Sequence, residues 1–210
     1  MLNILFNEPI VFFILVPVLL MSLAIHEFAH AYSADKLGDP TARYLGRVTL
    51  NPFAHLDPVG TLLLIFAGFG WGKPVPFNPI NLSNPKRDSA IISFAGPFSN
   101  FIMAITAAVL THLLQNAGVI TASTAAGLII HAVLQMFILI NLSLGFFNLI
   151  PVHPLDGFKV VYGLLPTNMA AQWLQMESMG MIILLIMVMT RSVGTILDPL
   201  VQFSLRILGF

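Results

Sequence analysis

Two histidines four residues apart enclose a glutamate in the order His26-Glu27-Phe28-Ala29-His30. On a helix of 3.6 residues per turn, positions i and i+4 share a face, so both imidazoles can reach one metal ion. Glu27 lies about 100° further round the same turn, where it can take a proton from water without crowding the ligands. With six histidines among 210 residues, the pattern has a chance expectation of roughly 0.002 per chain. The bland alternative is a buried histidine pair with a satisfied glutamate. Against it, Glu8 and Glu27 are the only carboxylates before Asp35, and a carboxylate in apolar sequence is costly unless it has a partner or a function.

Catalytic zinc usually takes three protein ligands and a water. The chain has no cysteine, so the third ligand must be a histidine or a carboxylate. Asp156 is the first carboxylate after a long uncharged stretch, in Asn148-Leu149-Ile150-Pro151-Val152-His153-Pro154-Leu155-Asp156-Gly157. Alone it reads as a helix-ending turn residue. Beside the histidine pair it is the expected third ligand, with Pro151 and Pro154 stopping the preceding span and Gly157 permitting close backbone approach. Asn148 has two readings of equal weight: a donor to the negative charge of a tetrahedral intermediate, or an interhelical hydrogen bond. Asn100 is assigned to packing, with Gly96 and Pro97 allowing close approach and a kink. His153 is read as a turn histidine, with a role beside the ligands as the alternative. His55 orients its loop or lies near the site, His112 and His131 are structural, and the Met176–Met189 stretch is apolar filling.

The elements that must position these groups are membrane elements. Only 9% of residues are charged, 57% are hydrophobic and the mean hydropathy is +0.90, against roughly 25% charged in soluble domains. The uncharged run from Ser89 to Leu155 is more than three times the roughly 20 residues that cross a hydrocarbon core. Its polar middle, 115–126, divides it into a helical hairpin. The expected spans are 9–34, 89–114, 127–149 and 177–197, the last followed by an interfacial tail. A cleaved signal peptide is disfavoured at the start, because no basic residue precedes the apolar run. Residues 58–79 are too short and too broken by proline to cross, so a re-entrant element that could form a β-hairpin is expected there. The fold class is an all-α polytopic membrane protein with about four to six transmembrane helices, forming one domain over 1–210.

Lys36, Arg43, Arg47, Lys73, Lys86 and Arg87 then fall on one side of the membrane, which the positive-inside rule makes cytosolic. Spans 9–34 and 127–149 both end there, bringing Asp156 toward His26 and His30. Nine basic residues balance nine acidic ones without a basic cluster, so nucleic-acid binding is excluded.

These motifs resemble those of the site-2 proteases, which are intramembrane zinc metalloproteases. Besides the His26–His30 motif, Gly96-Pro97-Phe98-Ser99-Asn100 is similar to that family's G-P-x-x-N, and Asn148 through Gly157 to its N-x-x-P-x-x-P-L-D-G. The segments 36–42, 51–64 and 69–79 resemble a compact subgroup without PDZ or CBS domains, and the likeness covers about 9–200. His153 departs from the family's usual apolar residue or proline. The resemblance implies one zinc ion per chain on His26, His30 and Asp156, Glu27 as base, and peptide-bond hydrolysis in or near the bilayer. It implies a membrane-tethered protein substrate and favours a prokaryotic plasma membrane. Zinc lowers the pKa of water from 15.7 to about 7, which Glu27 can exploit. An extended substrate could pair with a strand edge in 68–79. A membrane metal-ion transporter is the main alternative, although it would need ligands spread along a path. A di-iron desaturase would need more histidines than the chain has.

Overall fold

The computed structural model describes residues 2–67 and 70–210. Its three longest helices overlap the segments 9–34, 89–114 and 127–149. α1 (Leu2–Asn7) leads into α2 (Pro9–Lys36), and after the short α3 (Thr41–Tyr44) and α4 (Pro58–Ala67) come α5 (Pro85–Asn116) and α6 (Ala125–Asn148). α7 (Asp156–Leu164), α8 (Thr167–Gln175), α9 (Glu177–Met189) and α10 (Ser192–Ile207) complete the chain. α2, α5 and α6 contain 28, 32 and 24 residues. At 1.5 Å per residue each exceeds a hydrocarbon core of about 30 Å.

Local chemistry sets their ends. Asn84 accepts from the Arg87 N–H with Pro85 at the first turn of α5, and Thr124 accepts from the Gly127 N–H at the start of α6. Gly38 and Gly118 follow the ends of α2 and α5 at φ +105° and +71°, the left-handed geometry that ends helices at low steric cost.

The packing is that of a protein solvated by lipid. α5 lies against α2, α6 and α7. Its Ala104, Ala107 and Ala108 are buried against Ile138 and Leu142 of α6 and Val201 of α10, small residues allowing close helix approach. Large side chains such as Phe13, Leu113, Ile129, Ile182 and Phe203 are exposed. An apolar exterior this extensive belongs in a bilayer.

Two expectations are revised. Residues 177–197 do not form one span. α9 stops at Met189, Arg191 takes φ +59°, and α10 restarts at Ser192 and packs on α6. α8 and α9 instead meet at 61° and together are apolar enough to form one bent crossing, giving three to four candidate spans. The expected β-hairpin at 58–79 is also not found among the described residues. Pro58–Ala67 is helical, and among the described residues the strand-like pairing is limited to a bridge between Leu56 and Gly72. Runs of Leu and Ile after Pro58 supply helix propensity that no alternating pattern opposes. Gly68 and Phe69 of the expected strand edge lie outside the described residues.

Candidate metal centre

His26 and His30 face inward one turn apart near the end of α2, both buried. Asp156 opens α7, which packs against α5. Three ligand atoms converge there: the two Nε2 atoms lie 3.0 Å apart, and each is 3.2 Å from Asp156 Oδ2. A tetrahedral zinc with bonds of about 2.0–2.1 Å would set its ligands roughly 3.3–3.4 Å apart.

The surroundings fit a cation. His30 Nδ1 lies 2.7 Å from the Ile92 carbonyl, which can only accept, so Nδ1 carries the hydrogen and the neutral ring turns its lone pair to the centre. His26 Nδ1 meets Asn100 Oδ1 at 2.6 Å. Asp156 Oδ2 is buried and finds no hydrogen-bond donor, a condition that a metal relieves. Gly96 keeps the cradle open, because a Cβ there would stand 2.6 Å from His26 Nε2 and closer still to His30. Gly157 lets α7 begin hard against the end of α6, where a Cβ would lie 2.5 Å from the Ile150 carbonyl oxygen.

Glu27 is also buried, and its Oε2 accepts from the Val75 N–H at 3.2 Å. That N–H belongs to a strap, Lys73–Phe77, that is neither helix nor strand and is fixed on both sides, with Lys73 and Val75 each biased toward extended backbone by the proline that follows. Arg47 donates to the Lys73 carbonyl at 2.5 Å and the Pro74 carbonyl at 3.2 Å, and its Nη2 lies 3.2 Å from His55 Nδ1. His55 Nε2 is held by the Thr49 carbonyl, and the Lys73 N–H returns to the His55 carbonyl. Asp39 accepts from the Asn78 N–H and the Asn81 amide. His55 is thus a loop anchor, one of the two roles expected.

Asn148 ends α6 and donates to the Leu144 carbonyl of its own helix at 3.0 Å. The structure does not bring it into the three-ligand cluster. His153 stands 3.5 Å from Glu177 and edge-on to Phe158, outside the cluster. His112 bonds to the Leu208 carbonyl and packs on Phe210, fastening the end of α10. Sequence reasoning missed Arg47 and Val75. Their signal was weak: a lone arginine and one N–H among prolines.

A cradle of this kind, set in helices long enough to cross a bilayer, defines the class of membrane zinc metallopeptidases. Within that class the chain belongs to peptidase family M50, the site-2 proteases, whose family model matches residues 13–190. It is 40% identical over 90% of its length to YwhC of Bacillus subtilis, covering 85% of that protein, which is provisionally named a zinc metalloprotease. It is 32% identical over 70% of its length to Rip2 of Mycolicibacterium smegmatis, of which it spans 56% and which carries the same provisional name. A zinc metalloprotease of Methanocaldococcus jannaschii is 24% identical over 76% of the chain and 36% of the relative. No solved structure matches the chain. The protein is a zinc metallopeptidase with three to four apolar helices fit to cross a membrane.

Proposed function

We propose that the chain hydrolyses peptide bonds within or near the transmembrane segment of a membrane-tethered protein, as a step of regulated intramembrane proteolysis. The observation that carries this reading is the convergence of His26, His30 and Asp156 beside buried Glu27, on helices long enough to cross a bilayer. In this reading the three residues hold zinc. Bound there, zinc supplies a Lewis acid that polarises the scissile carbonyl and acidifies water. Glu27, oriented by the Val75 N–H, accepts the proton of the attacking water and returns it to the leaving amine. Asn148 gives one amide hydrogen to Leu144 and keeps a second for the developing oxyanion.

A helical substrate must be unwound to expose its carbonyl. The strap at Lys73–Phe77 supports an extended register, with limits set by its prolines. Pro74 and Pro76 have no N–H, and those of Lys73 and Val75 are already used, so pairing falls to Phe77 and to free carbonyls. The bridge between Leu56 and Gly72 makes the segment between them leave and return at one point of the fold, which supports re-entry over crossing. The basic residues of the connections support a cytosolic position for the site, in a prokaryotic plasma membrane.

The test compares wild type with Glu27→Gln, His30→Ala and Asp156→Asn in proteoliposomes carrying single-span peptides. About one zinc per wild-type chain is expected, lowered in the two ligand variants. Glu27→Gln should retain zinc and lose cleavage. Cleavage by Glu27→Gln at the wild-type rate would refute the assignment of the base.

A further inference from the structure

His30 is oriented directly by a main-chain carbonyl, whereas the Nδ1 of His26 faces only a side-chain amide. An amide can present either its oxygen or its nitrogen, so by itself Asn100 does not fix which nitrogen of His26 is bare. The determinant lies one hydrogen bond further away. Asn100 Nδ2 donates to Asn141 Oδ1 at 2.8 Å, and Asn141 Nδ2 donates to both Ser22 Oγ and the Phe137 carbonyl at 2.8 Å. Ser22, Asn100 and Asn141 are all fully buried. Ser22 stands one turn before His26 on α2, so the four side chains close a polar ring across α2, α5 and α6.

The Phe137 carbonyl can only accept. Turning the Asn141 amide over would press its oxygen against that carbonyl at 2.8 Å with no hydrogen between them. Asn141 must therefore present its oxygen to Asn100. Asn100 must answer with its nitrogen and turn its own oxygen to His26. His26 must then carry its hydrogen on Nδ1 and leave Nε2 bare toward His30 and Asp156. The serine hydroxyl can donate or accept, so Ser22 transmits no direction.

We propose that Asn141 is a positioning residue for the metal centre, fixing the tautomer of His26 through two amide hydrogen bonds anchored on the Phe137 carbonyl. It touches neither metal nor substrate. Partners of this kind beyond the ligands typically change metal affinity 10–100-fold. The inference rests on the metal centre and is independent of which peptide bond is cleaved.

The test measures zinc dissociation constants by chelator competition on detergent-solubilised full-length chain, together with 15N resonances of His26 in the metal-free protein. In wild type, His26 should carry its hydrogen on Nδ1. Asn141→Leu frees the Asn100 amide to turn over and should weaken zinc about 10–100-fold, with a fraction of His26 moving its hydrogen to Nε2. Asn141→Asp, neutral at this depth, can accept from Asn100 and donate to Phe137, and should stay within a few-fold of wild type. Ser22→Ala cuts the same ring without removing direction and should also bind as wild type. Equal weakening by Ser22→Ala and Asn141→Leu would reduce the ring to packing and overturn the proposal. So would a wild-type His26 whose Nδ1 carries no hydrogen, a result that needs no variant to fold. Absence of zinc from wild type with Nδ1-protonated His26 would instead strike the metal assignment and leave the tautomer control standing.

Discussion

Gly96→Ala tests whether the space between the imidazoles is a metal cradle or incidental packing. The new Cβ would stand 2.6 Å from His26 Nε2 and closer to His30, where an ordinary contact is about 3.5–4.0 Å. Each ring would have to retreat by roughly 1 Å, against the ±0.2 Å within which zinc distances fall. Neither ring has slack, since the Nδ1 atoms are tied at 2.6 and 2.7 Å to Asn100 and Ile92. The retreat would break those ties or push α5 from α2. Overpacking of this kind costs about 1–3 kcal/mol, and lost ligand orientation should weaken zinc about 10–100-fold. Gly127→Ala is the control. Its Cβ would meet the Thr121 carbonyl oxygen at 2.6 Å at the opposite end of α6 from Asn148, so it should lower the melting temperature comparably and leave zinc unchanged. The assay is zinc per chain with chelator competition, read beside thermal melting of both variants. A Gly96→Ala protein that melts like the control yet binds zinc as wild type would refute the cradle.

Arg47→Ala removes the donors to the Lys73 and Pro74 carbonyls, which should cost about 3 kcal/mol and lower kcat more than KM, because the Val75 N–H then no longer holds Glu27; an unchanged kcat in steady-state cleavage would count against the strap. Burial pushes the Asp39 carboxyl up, but donors from Thr41, Asn81 and Asn78 outweigh it and hold the group below its ordinary value. A depressed folded pKa gives stability that is fully present above the unfolded value of about 3.9 and is lost as pH falls through the folded pKa. The melting gap between wild type and Asp39→Asn should therefore be flat from pH 8 to 5 and close at lower pH; a gap that widened on acidification would reverse the assignment. His112→Ala should raise hydrogen exchange at the end of α10, where its ring holds the Leu208 carbonyl, without altering zinc content.

What the sequence revealed and concealed divides along the range of the interaction. The 3.6-residue period puts His26 and His30 on one face regardless of tertiary structure, so that pair could be read locally. Hydrocarbon thickness does the same for the three long helices, whose observed bounds lie within four residues of those expected. Asp156 was reachable only through the absence of cysteine, the orientation of the spans and the family resemblance, because the whole hairpin and the segment before it separate it from the histidines. The break at Arg191 was visible only as an interruption of an apolar run: Thr190, Ser192 and Gly194 are weak helix formers there, and the docking of α10 on α6 shows why the chain turns. The strap was least legible of all, since its contacts to Glu27 and Arg47 are made by main-chain groups that every residue type shares.

The buried amides had a signal that a packing assignment discounts. Asn100 and Asn141 are fully buried in spans whose other buried side chains are mostly small or aliphatic. Polar groups at that depth are costly unless each finds a partner. Here the partners run in a single direction, from an acceptor-only carbonyl to the ring nitrogen behind a metal-facing lone pair. The assignment of Asn100 to packing therefore named the right neighbours and missed what they transmit. Helix approach at Gly96 makes room for a metal, while the amides beside it determine which atom faces that room. A substitution can thus spare the fold and still disable the centre, which is why zinc affinity and melting temperature must be measured on the same variants.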